Sequence, residues 1–452
     1  MLTPADFGTV AVVMVLYILS QEIIRFGLDT AIIQKQDVDE EAYSAAFFVI
    51  CGLSVCFALL LYTFSTYIAH FYNQAELIVV AKYFAAMYII DALMQIQKIK
   101  LKKNLDFKKL NFFLIISKIV AGVIAVTLAL HGVGLMSLVY QNIIIATIQM
   151  VLISATVGWM PKKILSFKSL SGLVGYSKYI FSSNFIYHIS QRLDSLLIAK
   201  YFDTSLLGLY DKGKNLSELS QRLPSNFIMK PLFTSMASLQ DNMPELHRLM
   251  RRVYLSISFV FIPFLLFLIY NAKALIEFVY GAQWVAAAPY FGLFSVMAIF
   301  YLMRIPTHYL LLAMGKSKEV FRIDVIINFV KITVIVLLAG INLYLMIACL
   351  IGIRALEAII YFYYCDRKLS FSATEYIGII SPYVMISLTV VSAVNYLMSQ
   401  ILIFDSLSIH LLISFSAFSS IYLLISYILN MDGLVFHWNL TKRYIIKSKS
   451  VA

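Results

Sequence analysis

The chain is predicted to be all-α: a polytopic membrane protein of two pseudo-symmetric helical bundles plus two C-terminal helices, with about thirteen transmembrane helices. Three observations predict this. Of the 452 residues, 61% are hydrophobic and only 13% charged, with a mean hydropathy of +0.85, a composition that leaves no polar shell for a water-soluble globule. Apolar runs long enough to cross about 30 Å of hydrocarbon, roughly 20 residues each, recur along the chain. The two halves also repeat one another.

Taken in order, the apolar runs fall at 8–27, 43–69, 77–96, 111–130, 134–157, 173–200, 208–234, 253–271, 287–312, 320–340, 343–364, 374–398 and 406–430. The links between them alternate in charge. One set carries Lys98, Lys100, Lys102, Lys103, Lys108 and Lys109, then Lys162, Lys163 and Lys168, then Arg248, Arg251 and Arg252. It continues with Lys316, Lys318 and Arg322, Arg367 and Lys368, and finally Lys442, Arg443, Lys447 and Lys449. The other set (HFYNQAEL, LHGVG, YFDTSLLG, NAKALIEFVYGAQW, GINLY and SQILIFDSLS) holds only Lys200 and Lys273. Lysine and arginine mark the cytoplasmic side, so the C-terminus is predicted inside and the N-terminus outside. No polar stretch is long enough for a separate soluble domain, and the expected division is 1–160, 161–370, a pair of further spans in 371–432, and a tail from 433 to 452.

The formal net charge of +12 therefore reports membrane orientation rather than a nucleic-acid partner. Cys51, Cys56, Cys349 and Cys365 lie in or beside apolar stretches without metal-ligand spacing and read as small hydrophobes. The first apolar run lacks the basic flank and cleavage site of a signal peptide.

Sliding the chain by 200 residues lays LTPADFG (2–8) on FDTSLLG (202–208), and Leu19-Ser20-Gln21 on Leu219-Ser220-Gln221. Further on, HFYNQAELIVVAKYFA resembles FVYGAQWVAAAPYFG, and each is followed by an apolar run and a basic loop. An even number of helices separates equivalent points, which predicts halves of one orientation related by an axis along the membrane normal. The second half has a span leading into FDTSLLG, whereas nothing precedes LTPADFG; the expectation is a chain that lacks the first helix of the complete architecture.

These residues resemble the polysaccharide repeat-unit flippases, the Wzx-like branch of the multidrug/oligosaccharidyl-lipid/polysaccharide exporter superfamily. Members typically read LTPEDFG after their first helix, then FGLSSALIQ, then LDNLLIG before a Gly-Leu-Tyr. Here stand LTPADFG (2–8), FGLDTAIIQKQDVDEE (26–41), RLDSLLIAKYF (192–202) with GLY at 208–210, and YGAQWVAAAP (280–289), in order over nearly the whole chain. Within the family the lipopolysaccharide, colanic acid and teichuronic acid exporter-like group is the most similar. The resemblance implies two six-helix bundles around a central cavity, with two helices added at the C-terminus. It further implies a bacterial cytoplasmic (inner) membrane protein that moves undecaprenyl-pyrophosphate-linked oligosaccharide outward by alternating access. Its implied partners are that lipid-linked substrate, membrane lipids, and a polysaccharide polymerase with chain-length proteins. It implies neither enzyme nor cofactor.

Ionisable groups inside spans are expensive, so they are the best site signal available. The run from 173 carries Lys178, Asn184, His188, Gln191, Arg192 and Asp194, and the next carries Asp211, Lys214, Asn215, Glu218, Gln221, Arg222 and Asn226, at helical spacing. Stripes this polar face protein or water rather than lipid. Gln21, Glu22 and Arg25 form a weaker version in the first half; Arg304 with His308, Lys331, and Arg354 with Glu357 follow in the second. Arg192, Lys214, Arg222, Lys178, Arg25, Arg304 and Lys331, with Asn184 and Gln191, are the expected substrate-binding residues, since arginine and lysine hold pyrophosphate through charge-assisted hydrogen bonds. Asp194, Asp211, Glu218 and His188 are expected to balance charge or bind a coupling ion. Each position also has a bland reading. Arg25, Lys118 and Lys230 sit where side chains snorkel to the interface, and Arg354–Glu357 and Arg192–Asp194 read equally as structural ion pairs.

Gly315-Lys316-Ser317 lacks the leading glycine and the preceding strand of a phosphate loop and reads as a turn. Zincin, nucleophile-elbow and dinucleotide fingerprints are absent from the sequence. Trp159 and Trp284, at span ends, read as interface anchors. Two rival functions share some of these features. A multidrug or toxin antiporter has the same architecture but centres its site on acidic residues. An integral-membrane polysaccharide polymerase is expected to carry a large external loop, and no external loop here exceeds about twenty residues.

Overall fold

The computed structural model describes residues 2–35, 37–162, 167–369, 372–401 and 406–449, with backbone only at 167–180, 183, 227, 230, 368–369, 373, 401, 440–441 and 443–449. The described residues hold helices and no strands. They divide into two compact units: Met1–Gly208 with Ile335–Gly340, and Leu209–Val334 with Ile341–Ala452.

The first unit contains α1 (Pro4–Arg25), α2 (Leu28–Gln34), α3 (Glu40–Tyr72), α4 (Glu76–Lys103), α5 (Phe107–Leu130), α6 (Leu135–Val157) and α7 (Phe167–Tyr201). Within it α3 packs on α4, α5 on α6, and α1 on α7 and α4. LTPADFG has a direct structural meaning. Thr3 caps α1: its hydroxyl accepts from the Asp6 amide at 3.3 Å while the Asp6 carboxylate accepts from the Thr3 amide at 2.7 Å, a capping box with Pro4 at the first helical position. In the repeat, Asp203 takes the same place, accepting from the Leu206 amide at 2.6 Å to start α8 (Thr204–Pro224).

The glycines that close both motifs are needed for a close crossing of the two helix starts. A Cβ on Gly8 would overlap the Thr204 carbonyl, and one on Gly208 would overlap the Pro4 carbonyl. Gln74 fastens the crossing, accepting from Thr9 Oγ1 at 3.0 Å and donating to Thr204 Oγ1 at 2.6 Å. Alanine in place of glycine ordinarily stabilises a helix by about 1 kcal/mol. Here the sign is expected to invert, because a backbone carbonyl cannot rotate away and overpacking costs about 1–3 kcal/mol. Gly8→Ala and Gly208→Ala should each lower the apparent unfolding temperature of the detergent-solubilised protein, and the double variant should lose less than the sum, since both disrupt one crossing. Unchanged or raised unfolding temperatures would contradict this packing.

The second unit contains the rest of α8, a π turn at Ser225–Met229, α9 (Lys230–Ser238), α10 (Met243–Ser256), a π turn at Ile257–Phe261 and α11 (Ile262–Tyr270). Then come α12 (Ala272–Tyr280), a 3-10 turn at Ala282–Ala287, α13 (Ala288–Ala313), α14 (Ser317–Leu338) as far as Val334, α15 (Leu343–Leu369), α16 (Ala373–Ile401), α17 (Leu407–Ile428) and α18 (Asp432–Lys449). Both π turns lie beside prolines, Pro224 and Pro231 for one and Pro263 for the other, which remove ladder donors. A backbone acceptor freed inside a bilayer needs another partner. The Phe259 carbonyl, four residues before Pro263, accepts from the Tyr422 hydroxyl at 3.0 Å. Phe259, Phe267, Tyr383, Val391, Phe418 and Tyr422 form the core that holds α16 and α17 on α11.

Ten described helical segments are long and apolar enough to span a membrane. The other three expected spans are helical as well: α7 runs for 35 residues, α8 through α9 is continuous from Thr204 to Ser238, and α14 runs for 22 residues. They differ from the ten in charge, α14 carrying Arg322, Asp324 and Lys331 in one apolar run. Gly315-Lys316-Ser317 is a turn between α13 and α14, with Gly315 at φ +72°. Trp159 donates to Glu40 at 2.6 Å beside Lys100. Trp284, by contrast, is only 3% exposed, so it packs inside the protein instead of anchoring at the interface.

Candidate functional site

The densest polar cluster among the described spans lies in the second unit, where three helices each contribute residues at helical spacing. Arg304 and His308 are one turn apart on α13, Asp324 and Lys331 two turns apart on α14, and Arg354, Glu357 and Tyr361 line one face of α15. Glu357 is the hub. Its Oε2 lies 2.6 Å from Arg354 Nη1 and 3.7 Å from Lys331 Nζ, and its Oε1 lies 3.2 Å from Arg304 Nη1. Arg304 also meets Asp324 at 3.5 Å, and the Tyr361 hydroxyl donates to Asp324 at 2.8 Å. The Arg304 guanidinium lies over the Tyr361 and Tyr301 rings at 5.1 and 5.8 Å. His308 Nδ1 is 3.3 Å from Arg304 Nη1, and since a guanidinium only donates, that ring nitrogen accepts.

Burial gives the cluster its character. The Glu357 and Lys331 side chains are 3% and 8% exposed, Arg304 and Arg354 11% each, and Asp324, at the rim, 35%. Three cations face two carboxylates, a net +1. The Nε–H groups of both Arg304 and Arg354 are buried without a hydrogen-bond partner among the described residues. Such a donor costs about 1–3 kcal/mol, a cost that an anion oxygen reaching it would remove.

The first unit has a smaller polar cluster. Tyr17, Gln21 and Arg25 recur every fourth residue on α1; the Tyr17 hydroxyl donates to Asp91 on α4, and Gln21 donates to Tyr17 at 3.0 Å. Ser20 bonds Tyr88, and Gln95 donates to Asp29 at 2.6 Å. Arg25 is half-buried, with its Nε likewise buried and unpartnered among the described residues. Glu22, on the same helix, meets His188 of α7 at 3.4 Å.

The two polar stripes divide by depth. On α7, Asp194 is buried and accepts from the Ser195 amide at 2.9 Å, His188, Gln191 and Arg192 are half-buried, and Asn184 is exposed; the Lys178 side chain lies outside the described residues. On α8, Asp211 and Lys214 are buried, the latter 5.7 Å from the Tyr210 ring centre. Glu218 is half-buried and pairs with the exposed Arg222 at 2.7 Å. Sequence reasoning missed Asp324, Tyr361, Tyr17 and Asp91. Asp324 carried a usable signal, seven residues before Lys331 in an apolar run and hence on the same face; a tyrosine in a chain with 29 of them carries none.

Residues 1–289 match a family described as polysaccharide biosynthesis protein. The teichuronic acid biosynthesis protein TuaB of Bacillus subtilis is 22% identical over 310 residues, covering 68% of this chain and 64% of that one. The succinoglycan biosynthesis transport protein ExoT of Rhizobium meliloti is 23% identical over 48% of this chain and 44% of its own. The lipopolysaccharide biosynthesis protein WzxC of Escherichia coli is 20% identical over 74% and 68%. The alignments thus span between 44% and 68% of these relatives' lengths. Among solved structures, the lipid II flippase MurJ in an inward closed conformation superposes with a TM-score of 0.77 over 95% of this chain and 94% of that one, at 14% identity, and so shares the fold. The chain is a multi-pass membrane protein, and it belongs to the polysaccharide biosynthesis protein family.

Proposed function

We propose that the chain is a flippase of the bacterial cytoplasmic membrane, with its C-terminus inside, that translocates undecaprenyl-pyrophosphate-linked oligosaccharide repeat units by alternating access. The observation that carries this reading is the buried net-positive cluster around Glu357 with its unfilled arginine donors. A pyrophosphate offers oxygens in the geometry that arginine binds two at a time. Relatives named for teichuronic acid, succinoglycan and lipopolysaccharide biosynthesis supply the substrate class, one of them named as a transport protein. The structural neighbour is named as a lipid II flippase. Arg304, Lys331 and Arg354 would hold the pyrophosphate; Lys214 and Arg222 of the same unit, and Arg25, Arg192, Lys178, Asn184 and Gln191 of the first unit, are the other proposed substrate-binding residues. Asp194, Asp211, Glu218 and His188 would balance charge.

The test is the intermediate that accumulates in a deletion strain. Single lipid-linked repeat units trapped on the cytoplasmic side support a flippase, whereas units exposed outside but unpolymerised would identify a polymerase step instead. Driving force is a separate expectation. Moving two negative charges outward across an inside-negative membrane is favoured by roughly 4–5 kcal/mol per 100 mV. Collapsing the potential of loaded vesicles with an ionophore should therefore slow translocation, and unchanged rates would remove the potential from the mechanism.

A further inference from the structure

A second basic site lies well apart in sequence from the Glu357 cluster, between α10 and α18. α10 buries Leu246, Met250 and Val253 on one face and presents Arg248, Arg251 and Arg252 on the other. α18 is fixed beside it by its first turn: Asp432 pairs with Arg251 at 2.7 Å, the Gly433 amide donates to the Tyr383 hydroxyl at 2.8 Å, and His437 stacks on Phe259 at 5.5 Å. Between them is an open pocket of about 380 Å³ whose lining is part charged, the three arginines and Asp432, and part apolar, Leu255, Val435 and Phe436.

We propose that this pocket binds the phosphate headgroup of an anionic membrane phospholipid. Three features select that occupant. Three arginines face Asp432, which pairs with Arg251, and Glu245, which pairs with Arg248 at 2.7 Å, so the site keeps a net +1, matching the single negative charge of a phosphodiester. The arginines begin the apolar segment Met243–Tyr270, so the pocket sits where a span leaves the bilayer, on the side that the lysine and arginine bias assigns to the cytoplasm. Further along the same apolar segment, in the π turn and in α11, Val260 and Phe264 are 45% and 38% exposed, apolar surface that an acyl chain can use and a soluble phosphate cannot.

The test uses the full chain reconstituted in phosphatidylglycerol or phosphatidylcholine bilayers, then extracted in mild detergent, with retained lipid counted by mass spectrometry. The wild type should retain phosphatidylglycerol in preference to phosphatidylcholine. Arg248→Gln with Arg252→Gln, both at exposed positions and outside the Arg251–Asp432 tie, should cut that retention by at least about tenfold, at roughly fivefold per arginine. The double lysine variant should keep most of it. Asp432→Asn should raise it by removing the one negative charge of the lining, a direction that loss of a merely structural ion pair would not produce. Equal retention by wild type and the double glutamine variant at unchanged unfolding temperature would overturn the proposal. So would complete displacement of the lipid by millimolar inorganic phosphate, which would make the site one for a soluble anion. Neither readout involves translocation, so the outcome is independent of the proposed transport function.

Discussion

Replacing Glu357 with alanine is expected to destabilise the second unit more than any other single substitution in the Glu357 cluster. Glu357 touches Arg354, Arg304 and Lys331 at once and is 3% exposed. Its removal changes the cluster from three cations against two anions to three against one, and the remaining anion, Asp324, is reached only by Arg304 among the cations. Breaking a buried pair by deleting one partner costs about 3–5 kcal/mol, because the other charge stays buried without compensation. The charge arithmetic supplies its own control. Arg354→Met added to Glu357→Ala returns the cluster to two cations against one anion, the original +1, and should recover part of the loss. Membrane yield and apparent unfolding temperature read both effects. A Glu357→Ala protein as stable as the wild type would show that the cluster is hydrated and carries little folding energy.

The opposite manipulation is expected to abolish transport while keeping the fold. Arg304→Gln with Lys331→Gln leaves Arg354 against Glu357 and Asp324, a net of −1, and gives an incoming dianion a repelling site. A hydrogen bond to a charged group is worth about 1.5–3 kcal/mol, or roughly ten- to a hundredfold in binding, so losing two should lower translocation by at least about a hundredfold. Arg304→Lys keeps the charge but loses the planar fork, and should fall between. The readout is restoration of surface polysaccharide in the deletion strain at matched protein levels. Full restoration by the double glutamine variant would remove this cluster from the substrate path.

The fold was legible because the bilayer imposes length and hydropathy on every span, and ten helices satisfied both without any tertiary information. The three more highly charged segments were legible as helices from length and spacing, and their charges are what set them apart from the ten. Local chemistry was legible too. The structure makes the Thr-Pro-Ala-Asp run a capping box whose counterpart is Asp203. What the repeat could not show is that its two glycines lie against each other's helix starts, since that depends on a crossing between residues about 200 apart. The site was read in pairs because single-helix spacing reveals only neighbours one turn away. Arg304 with His308 and Arg354 with Glu357 are such pairs; that one carboxylate also collects Lys331 from α14 follows from packing, which spacing does not encode. Trp284 fails for a related reason: a tryptophan at a span end looks the same in sequence whether it faces lipid or a neighbouring helix.

The most direct measurement of the central claim is translocation by the purified chain. Proteoliposomes carrying undecaprenyl-pyrophosphate-linked oligosaccharide in both leaflets, with an impermeant glycosidase outside, report arrival of the inner-leaflet glycan as cleavage beyond the outer half. The account predicts cleavage beyond half of the starting signal only when the chain is present, and a loss of at least about a hundredfold in rate with Arg304→Gln and Lys331→Gln. Cleavage at the rate of protein-free vesicles by well-folded protein, or equal rates for wild type and the double variant, would contradict it.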